Sequence, residues 1–446
     1  MFKETILQNR EYNILSFLIF FLFIGYILGE AFINFILLIN TVFISYLVCK
    51  KFIQVKLNYI SISLLVIFYM YLVLLGIFKV DNSLFKNFAY IRFIFLSLSI
   101  MILINSKNNI KFIYYSLLVL LFLISVDAIY QKNFDVNLLG TETQIQRRIT
   151  GIFNDEEVLG SFLSKTFLLC AIFFECLKKT KFEYLIFYLS GVVILIATYV
   201  SAERLGIFAI TIFFLASATL QLKNRIYQFY LLLLSFLILI IAISISEHLR
   251  INIVAKTLAQ VGLTKTAQYI SKDSQTYEDW KKLPCEDKIK CSDHIAVFFS
   301  DRFGIKSSNL SIYGAHYITA KKIWIDNFWF GAGVKSFIKN CDKEKYDLPD
   351  HPYNKFRCSS HPHSIYLQIL SEIGLIGFIS FLSLLILIFF KNLKMMFKSN
   401  KNLISFIGLI IIFLPLPSGN FFSTWYGSYL WIFLGLNLKN FLIKKS

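Results

Sequence analysis

About twelve stretches of this chain stay apolar long enough to cross roughly 30 Å of hydrocarbon, and that repetition restricts the fold more than any other feature. They lie near residues 12–28, 31–49, 57–78, 88–104, 111–130, 158–177, 182–200, 204–220, 226–246, 364–390, 402–418 and 424–440. In lipid every backbone N–H and C=O must find its partner inside the protein, so runs of this length are expected as helices. The expectation is an all-α polytopic membrane protein. Composition agrees: of 446 residues, 57% are hydrophobic and only 16% charged, with a mean hydropathy of +0.64. A soluble multidomain protein is excluded at that level. The first run, Ile14 to Leu28, is followed by Gly29-Glu30 and a second run rather than by a small-residue cleavage site, so it reads as a first membrane helix. A re-entrant hairpin of the first two runs is the alternative.

A net charge of +18 would point to nucleic acid in a soluble protein. Here the basic residues flank apolar runs, so no nucleic-acid partner is expected and the membrane lipids are. Lys3, Arg10, Lys50, Lys51, Lys56, Lys107, Lys111, Lys178, Lys179, Lys181, Lys223, Arg225, Lys391, Lys394, Lys398, Lys401, Lys439, Lys444 and Lys445 fall on one set of alternating loops, against Lys79, Lys86 and Arg204 on the other. The positive-inside rule then puts both termini in the cytoplasm. Segments 131–157, 201–204 and 247–363 face outward. The chain divides into membrane helices one to nine (1–246), an outer loop domain (247–363) and helices ten to twelve (364–446).

The outer loop holds four of the seven cysteines, Cys285, Cys291, Cys341 and Cys358. An even number in an oxidising compartment reads as disulfides, with Cys285–Cys291 and Cys341–Cys358 the local pairings among the three connectivities possible. A zinc site is the alternative, but no C-x-x-C pair is present. Cys49, Cys170 and Cys176, in apolar runs, read as packing residues. Thr319 to Trp324 has helical apolar spacing and precedes DNFWFGAGVKSF, where Gly331 and Gly333 mark a turn. A short amphipathic helix on the membrane surface fits, with Trp324 and Trp329 at headgroup level.

The polar residues that could do chemistry gather on the outward side. His363 stands where the loop becomes the tenth helix and is followed by Ser364, a residue that caps helix N-termini. The positive end of that helix disfavours imidazolium, which keeps the ring neutral and able to accept a proton. A structural histidine bonded to backbone is the plain alternative; a metal site from His361, His363, His351 and Asp350 is another. Arg147, Arg148 and Arg204 are permanent planar cations suited to phosphate oxygens. Their plain readings are solvated charges for the first two and, for Arg204, a helix-end residue paired with Glu203. His316 precedes the amphipathic helix, and His361 and Arg357 lie just before His363. Lys165 and Glu372 sit inside apolar runs and are costly unless paired or facing a wet cavity; Glu372 is a candidate to line the cavity of His363. Gly374 and Gly377 would admit close approach by a neighbouring helix or lipid.

These residues carry a resemblance. HSIYLQILSEIGLIG, from His363 to Gly377, resembles the signature of the O-antigen ligase and O-antigen polymerase superfamily, and the wider CSSHPHSIYLQILSEIGLIG is similar to a form common among polymerase-like members. RITGIFNDEEVLGSF resembles the family's Arg-x-x-Gly-x-Phe-Asn segment through Arg148, Gly151, Phe153 and Asn154. SAERLGIF looks like its Ser-Arg turn with Ala202-Glu203 inserted, and AKKIWIDNFWFGAG looks like its Pro-x-x-Gly-x-Gly segment with Phe328 in place of proline.

The resemblance implies a GT-C-like fold with a large periplasmic loop between helices nine and ten, in a bacterial inner membrane. It further implies a metal-independent, cofactor-free inverting glycosyltransferase. The donor would be an undecaprenyl-diphosphate-linked glycan and the acceptor a hydroxyl of a lipid- or glycan-linked partner. His363 would be the base and Arg148 and Arg204 would grip the diphosphate, with Arg147, His316, His361, Arg357 and Glu372 as further substrate contacts. Ligases of the family place an arginine upstream of the loop helix, where this chain offers His316, with Arg302 and Arg357 as substitutes; that departure and CSSHPH favour polymerase over ligase. Asp155-Glu156-Glu157 is the remote candidate for a metal. The competing function is a non-enzymatic transporter or flippase of lipid-linked sugars, which would need charges at the midplane of the bundle and no large outer loop.

Overall fold

The computed structural model describes residues 9–50, 59–78, 84–142, 148–154, 156–177, 180–220, 225–245, 249, 253, 312–349, 351, 353–398 and 403–442. Arg147, Asp350, Arg302, Cys285 and Cys291 lie outside them. The regular elements among the described residues are helices, with one isolated backbone bridge, Val136 to Glu142, and no strand among them. In chain order the helices are α1 (Asn9–Leu28), α2 (Glu30–Cys49), α3 (Tyr59–Phe78), α4 (Leu84–Phe88), α5 (Ile91–Leu103), α6 (Lys107–Phe134), α7 (Leu159–Cys176), α8 (Lys181–Val200), α9 (Arg204–Leu220), α10 (Arg225–Ile245), α11 (Ile312–Asp326), α12 (Ile365–Lys398), α13 (Leu403–Ile412) and α14 (Thr424–Leu442).

Each expected apolar run contains a helix. Among the described residues, seven helical segments are long and apolar enough to cross a membrane: Arg10–Leu28, Glu30–Cys49, Leu84–Leu103, Lys107–Phe134, Leu159–Cys176, Phe182–Val200 and Ile365–Met396. Ser63–Phe78, Arg204–Ala216 and Leu403–Ile412 are shorter apolar helices. The run expected over 402–418 ends early, at Ile412. Proline lacks the N–H and clashes with the preceding turn, so Pro415 and Pro417 prevent continuation.

Two compact units are present. The first comprises 1–239, 379–414 and 421–446. In it α5 lies along α14, α1 along α2, and α7 against α6, α8 and α9. Its core is aromatic: Phe174 stacks on Phe187 at 4.4 Å, Tyr26 on Tyr429 at 4.7 Å, and the indole of Trp431 donates to Tyr90 Oη at 3.0 Å. Many apolar side chains remain exposed, such as Phe35, Val42, Val119 and Leu189. Such a surface suits lipid, where an outward leucine carries no penalty.

The second unit comprises 240–378 and 415–420. Its described core places Ala320 and Ile323 of α11 against Phe337, Cys341 and Tyr346, and Ala315 against Leu348 and Tyr353. Cys341 and Cys358 are disulfide-bonded, with Cα atoms 5.3 Å apart. The amphipathic helix expected around Thr319–Trp324 is α11, and Ala315, His316, Thr319, Ala320 and Ile323 form its buried face.

The helix expected as one run over 364–390 is broken at Gly374, whose φ of 70° and ψ of −174° belong to glycine alone. The segment after α11 fills the break. Ala332 and Gly333 N–H donate to the carbonyls of Ser371 and Glu372 at 2.8 and 2.7 Å, and Leu375 and Ile376 N–H donate to those of Phe328 and Trp329 at 2.9 and 3.2 Å. Backbone groups freed by the break are thereby satisfied by a loop. The close approach expected at Gly374 is therefore to irregular backbone, not to a helix or lipid. Gly331, with φ 68°, is the reciprocal glycine: a Cβ there would lie 2.4 Å from Glu372 C and Ile373 N.

Candidate active site

The second unit brings three imidazoles together. His361 and His363 ring centroids are 4.3 Å apart, His316 from α11 is 5.2 Å from His363, and the Tyr313 ring meets His363 edge-on at 5.2 Å. One turn of helix separates Tyr313 from His316, which puts both on the face of α11 that meets the start of α12.

Two of the imidazoles are committed. His316 Nδ1 lies 3.0 Å from the Arg357 carbonyl, which can only accept, so Nδ1 carries the proton. His361 Nε2 is 2.9 Å from the Ser418 carbonyl and must likewise be protonated there; its Nδ1 accepts from Ser360 Oγ at 2.9 Å. His363 differs. Among the described residues its ring has ring contacts but no hydrogen-bond partner. Its φ of 54° is left-handed, a conformation uncommon outside glycine, though less so for asparagine, aspartate and histidine, and found disproportionately at functional sites.

Burial pushes His363 down to about 3, and the neighbouring His361 and His316 push the same way. Burial also lowers His316 and His361. All three rings are accordingly neutral near neutral pH. The sequence reading ascribed neutrality at His363 to the helix end; the structure supplies burial and like-group repulsion as causes.

Ser418, between α13 and α14, organises this corner. Its N–H donates to the His363 carbonyl at 2.9 Å, its Oγ accepts from Ile365 N at 3.0 Å, and its carbonyl holds His361. It caps α12 from a distance, while Ser364 Oγ accepts more weakly from Leu367 N at 3.4 Å. Neither Ser418 nor Tyr313 was foreseen. The signal for Ser418 was PLPSGN, a polar turn interrupting an apolar run.

Other expected site residues are placed differently. Glu372 is fully buried and accepts from Lys335 N at 2.7 Å, Phe337 N at 3.4 Å and Gln368 Nε2 at 3.4 Å. It anchors the turn before Phe337–Asn340 and does not line an open cavity with His363. Arg357 is likewise turned into the unit. Its guanidinium reaches the carbonyls of Cys341 at 3.0 Å and Asp342 at 3.2 Å and the Asp347 carboxylate at 3.1 Å. These contacts fix the backbone whose carbonyl holds His316. His351 Nδ1 accepts from Tyr353 N at 3.1 Å. Among the described residues no group of three or more His, Cys, Asp or Glu side chains is arranged to hold a metal ion.

The first unit holds the other polar candidates. The turn after Arg148 is pinned at Gly151, whose N–H donates to Gln131 Oε1 at 2.7 Å and whose carbonyl accepts from Asn137 Nδ2 at 2.8 Å. Phe153 packs on Phe162, and Arg148 Nε is 3.6 Å from Glu157 Oε2. The inserted Ala202-Glu203 is accommodated by a left-handed Ala202, φ 56°, which turns Glu203 onto the start of α7. There Glu203 accepts from Ser161 N at 2.5 Å rather than only flanking Arg204. Burial raises the Glu203 carboxyl, against the pull of Lys165 and Arg148. Arg204 is the first residue of α9. Cys170 is buried as expected of a packing residue, whereas Cys49 and Cys176 are exposed.

Together these features define a polytopic helical membrane protein with a buried imidazole cluster at the start of a broken helix. The sequence profile of the O-antigen ligase family matches residues 189–382, and that match supports the resemblance to the O-antigen ligase and polymerase superfamily. The matched stretch includes Arg204, His316, Arg357, His361, His363 and Glu372 and stops short of Arg147, Arg148 and Lys165. Glycosyl transfer involving lipid-linked glycans is the coarse activity this implies. No curated protein matches the chain.

Proposed function

We propose that the protein transfers a glycan from undecaprenyl diphosphate to an acceptor hydroxyl at the outer face of the bacterial inner membrane, with inversion at the anomeric carbon. His363 is the general base. The observation carrying this reading is the contrast within the imidazole cluster: His316 and His361 are tied to backbone carbonyls, while the ring of His363, neutral and half-buried, has no hydrogen-bond partner among the described residues.

In the step proposed, the acceptor oxygen attacks the anomeric carbon as its proton passes to the open nitrogen of His363. The bond from that carbon to the phosphate oxygen breaks, and undecaprenyl diphosphate leaves. Fixed cations stabilise the charge that grows on the leaving diphosphate. Arg148 and Arg204, with Arg147, are assigned that part on their chemistry and the family resemblance. His361, His316 and Arg357 position the base, and Glu372 holds the loop that positions α11. An anionic donor next to His363 raises its proton affinity, which moves a weak base toward a useful one only when substrate is bound. The CSSHPH run favours polymerisation of repeat units over ligation of a finished glycan.

The test is His363→Ala in the native host, read as a lipopolysaccharide ladder. Core carrying one repeat unit identifies a polymerase, and core without glycan identifies a ligase. An unchanged ladder refutes the base assignment. Cysteine labelling of the loop at Lys178, expected from the cytoplasmic side only, checks the orientation.

A further inference from the structure

Lys165 of α7 has the contacts of a cation waiting for an anion. It lies in an apolar membrane-crossing helix, and its ammonium is held by Ser161 Oγ. Its other neighbours are aromatic faces on α14: the Nζ is 5.7 Å from the Trp425 ring centroid, 5.1 Å from Tyr426 and 6.0 Å from Tyr429. An ammonium has three N–H donors and the serine takes one. Among the described residues no carboxylate lies within ion-pair distance of it. Glu203, whose field it feels, is tied to Ser161 N.

Ring faces attract a cation but do not neutralise it. An ionisable side chain inside a membrane bundle is costly and persists where it has a partner or a task. Small residues set the cradle: a Cβ on Gly160 would lie 2.4 Å from Ser201 Oγ, and one on Gly206 would lie 2.6 Å from the Gly160 carbonyl oxygen. The approach of α9 that this permits brings Glu203 to the start of α7, one turn from Lys165. Arg148 stands beside the same carboxylate, paired with Glu157. Two cations, Lys165 and Arg148, therefore share this corner with two carboxylates, Glu203 and Glu157.

Resting on the transferase reading above, we propose that Lys165 binds phosphate oxygens of the polyprenyl diphosphate donor, with the Trp425, Tyr426 and Tyr429 rings walling the ammonium from lipid. The oxygens complete the ammonium's hydrogen bonds and supply the direct ion contact that no carboxylate among the described residues makes with it. Lysine suits this task as a compact cation on a flexible stem.

The experiment measures binding of farnesyl diphosphate, and of farnesol as uncharged control, to the full chain in nanodiscs. Lys165→Met, near-isosteric and neutral, is expected to weaken farnesyl diphosphate binding about 10- to 100-fold, the loss typical of a charged hydrogen bond, and to leave farnesol unchanged. Lys165→Arg is expected to keep most of the affinity. His363→Ala should bind normally while failing to transfer glycan, so failure of the transferase reading and failure of the lysine assignment are separable. Equal affinity for farnesyl diphosphate in Lys165→Met and the unaltered chain overturns the proposal. So does Lys165-dependent binding of glucuronate without any of farnesyl diphosphate, since the anion would then belong to an acidic sugar. Where Lys165→Met does not give a monodisperse protein, the unaltered chain decides: 15Nζ-lysine to 31P dipolar dephasing with farnesyl diphosphate bound must appear at the signal that Lys165→Arg removes, and its absence overturns the proposal.

Discussion

Gly374→Ala isolates the junction on which the imidazole cluster depends, without touching a group that meets substrate. Two costs add. The backbone at φ 70°, ψ −174° lies in a region that costs a residue with a Cβ about 1–3 kcal/mol. The new methyl would also sit 2.4 Å from Gly331 N and from the Trp329 carbonyl oxygen and 2.5 Å from its carbon, all backbone atoms that cannot swing aside. Relieving an overlap of that kind costs about 1–3 kcal/mol more. The sum, about 2–6 kcal/mol, is a large share of the roughly 5–15 kcal/mol that holds a typical domain folded. The cheapest escape separates residues 328–333 from α12. That breaks the four backbone hydrogen bonds across the junction and releases the C-terminal end of α11, the helix whose opposite end carries Tyr313 and His316.

The assay is the thermal unfolding midpoint in detergent together with the lipopolysaccharide ladder in the host. Gly191→Ala in α8 is the control, because its Cβ would meet only Phe167 at an ordinary 3.4 Å and a helix interior gains about 0.5–1 kcal/mol from alanine. The expected result is a midpoint several degrees below that of the control, with the ladder lost. A Gly374→Ala protein as stable as the control, with a full ladder, would refute the account of this junction.

Two further outcomes are expected. His363 has its folded value near 3, below its ordinary 6.5, so the unfolded chain binds more protons between those limits. Its stabilisation is complete above about pH 6.5 and is lost as pH falls toward 3. In the pH dependence of kcat/KM, which reports free enzyme, the acid limb should lie well below 6.5; the limb in kcat should lie higher, because bound diphosphate raises the imidazole, and an unshifted limb at 6.5 in both would sink the placement of the base. The Cys341–Cys358 bridge closes a loop of 17 residues, so Cys341→Ser with Cys358→Ser is expected to cost about 3 kcal/mol. Reductant should lower the unfolding midpoint of the unaltered chain and leave the double variant unaffected; equal sensitivity in both would place the reducible bond elsewhere.

The helices were legible because each apolar run is a local statement: the side chains that meet lipid are neighbours in sequence. Their ends were less so. Pro415 and Pro417 were visible, yet an apolar count carried the helix past Ile412. The break at Gly374 was also in plain view as a glycine, but GLIG inside an apolar run reads equally as small-residue helix packing. Only the arrival of Phe328–Gly333 decides between them, and that partner lies some forty residues away in sequence. Cys341–Cys358 was readable as the local pairing because the loop joining the two cysteines is short.

The chemistry divides along the same line. His363 was identifiable because its setting, a polar loop meeting an apolar helix, is continuous in the chain. What distinguishes it from His361 is not, since two residues in one extended stretch receive opposite treatment from a serine more than fifty positions away. Ser418 takes the His361 N–H, caps Ile365 and grips the His363 carbonyl, so one turn both consumes one imidazole and sets the backbone of the other. Glu372 and Arg357 show the converse. Glu372, in an apolar run, was marked as needing a partner, but its partners, like several of those of Arg357, include backbone groups, which carry no side-chain signature in sequence. Lys165 was marked by the same rule, and among the described residues its contacts are one hydroxyl and three ring faces where the other two have charges or peptide groups. That difference in what surrounds each ion is why Lys165, rather than Glu372 or Arg357, is the one expected to respond to an anionic ligand.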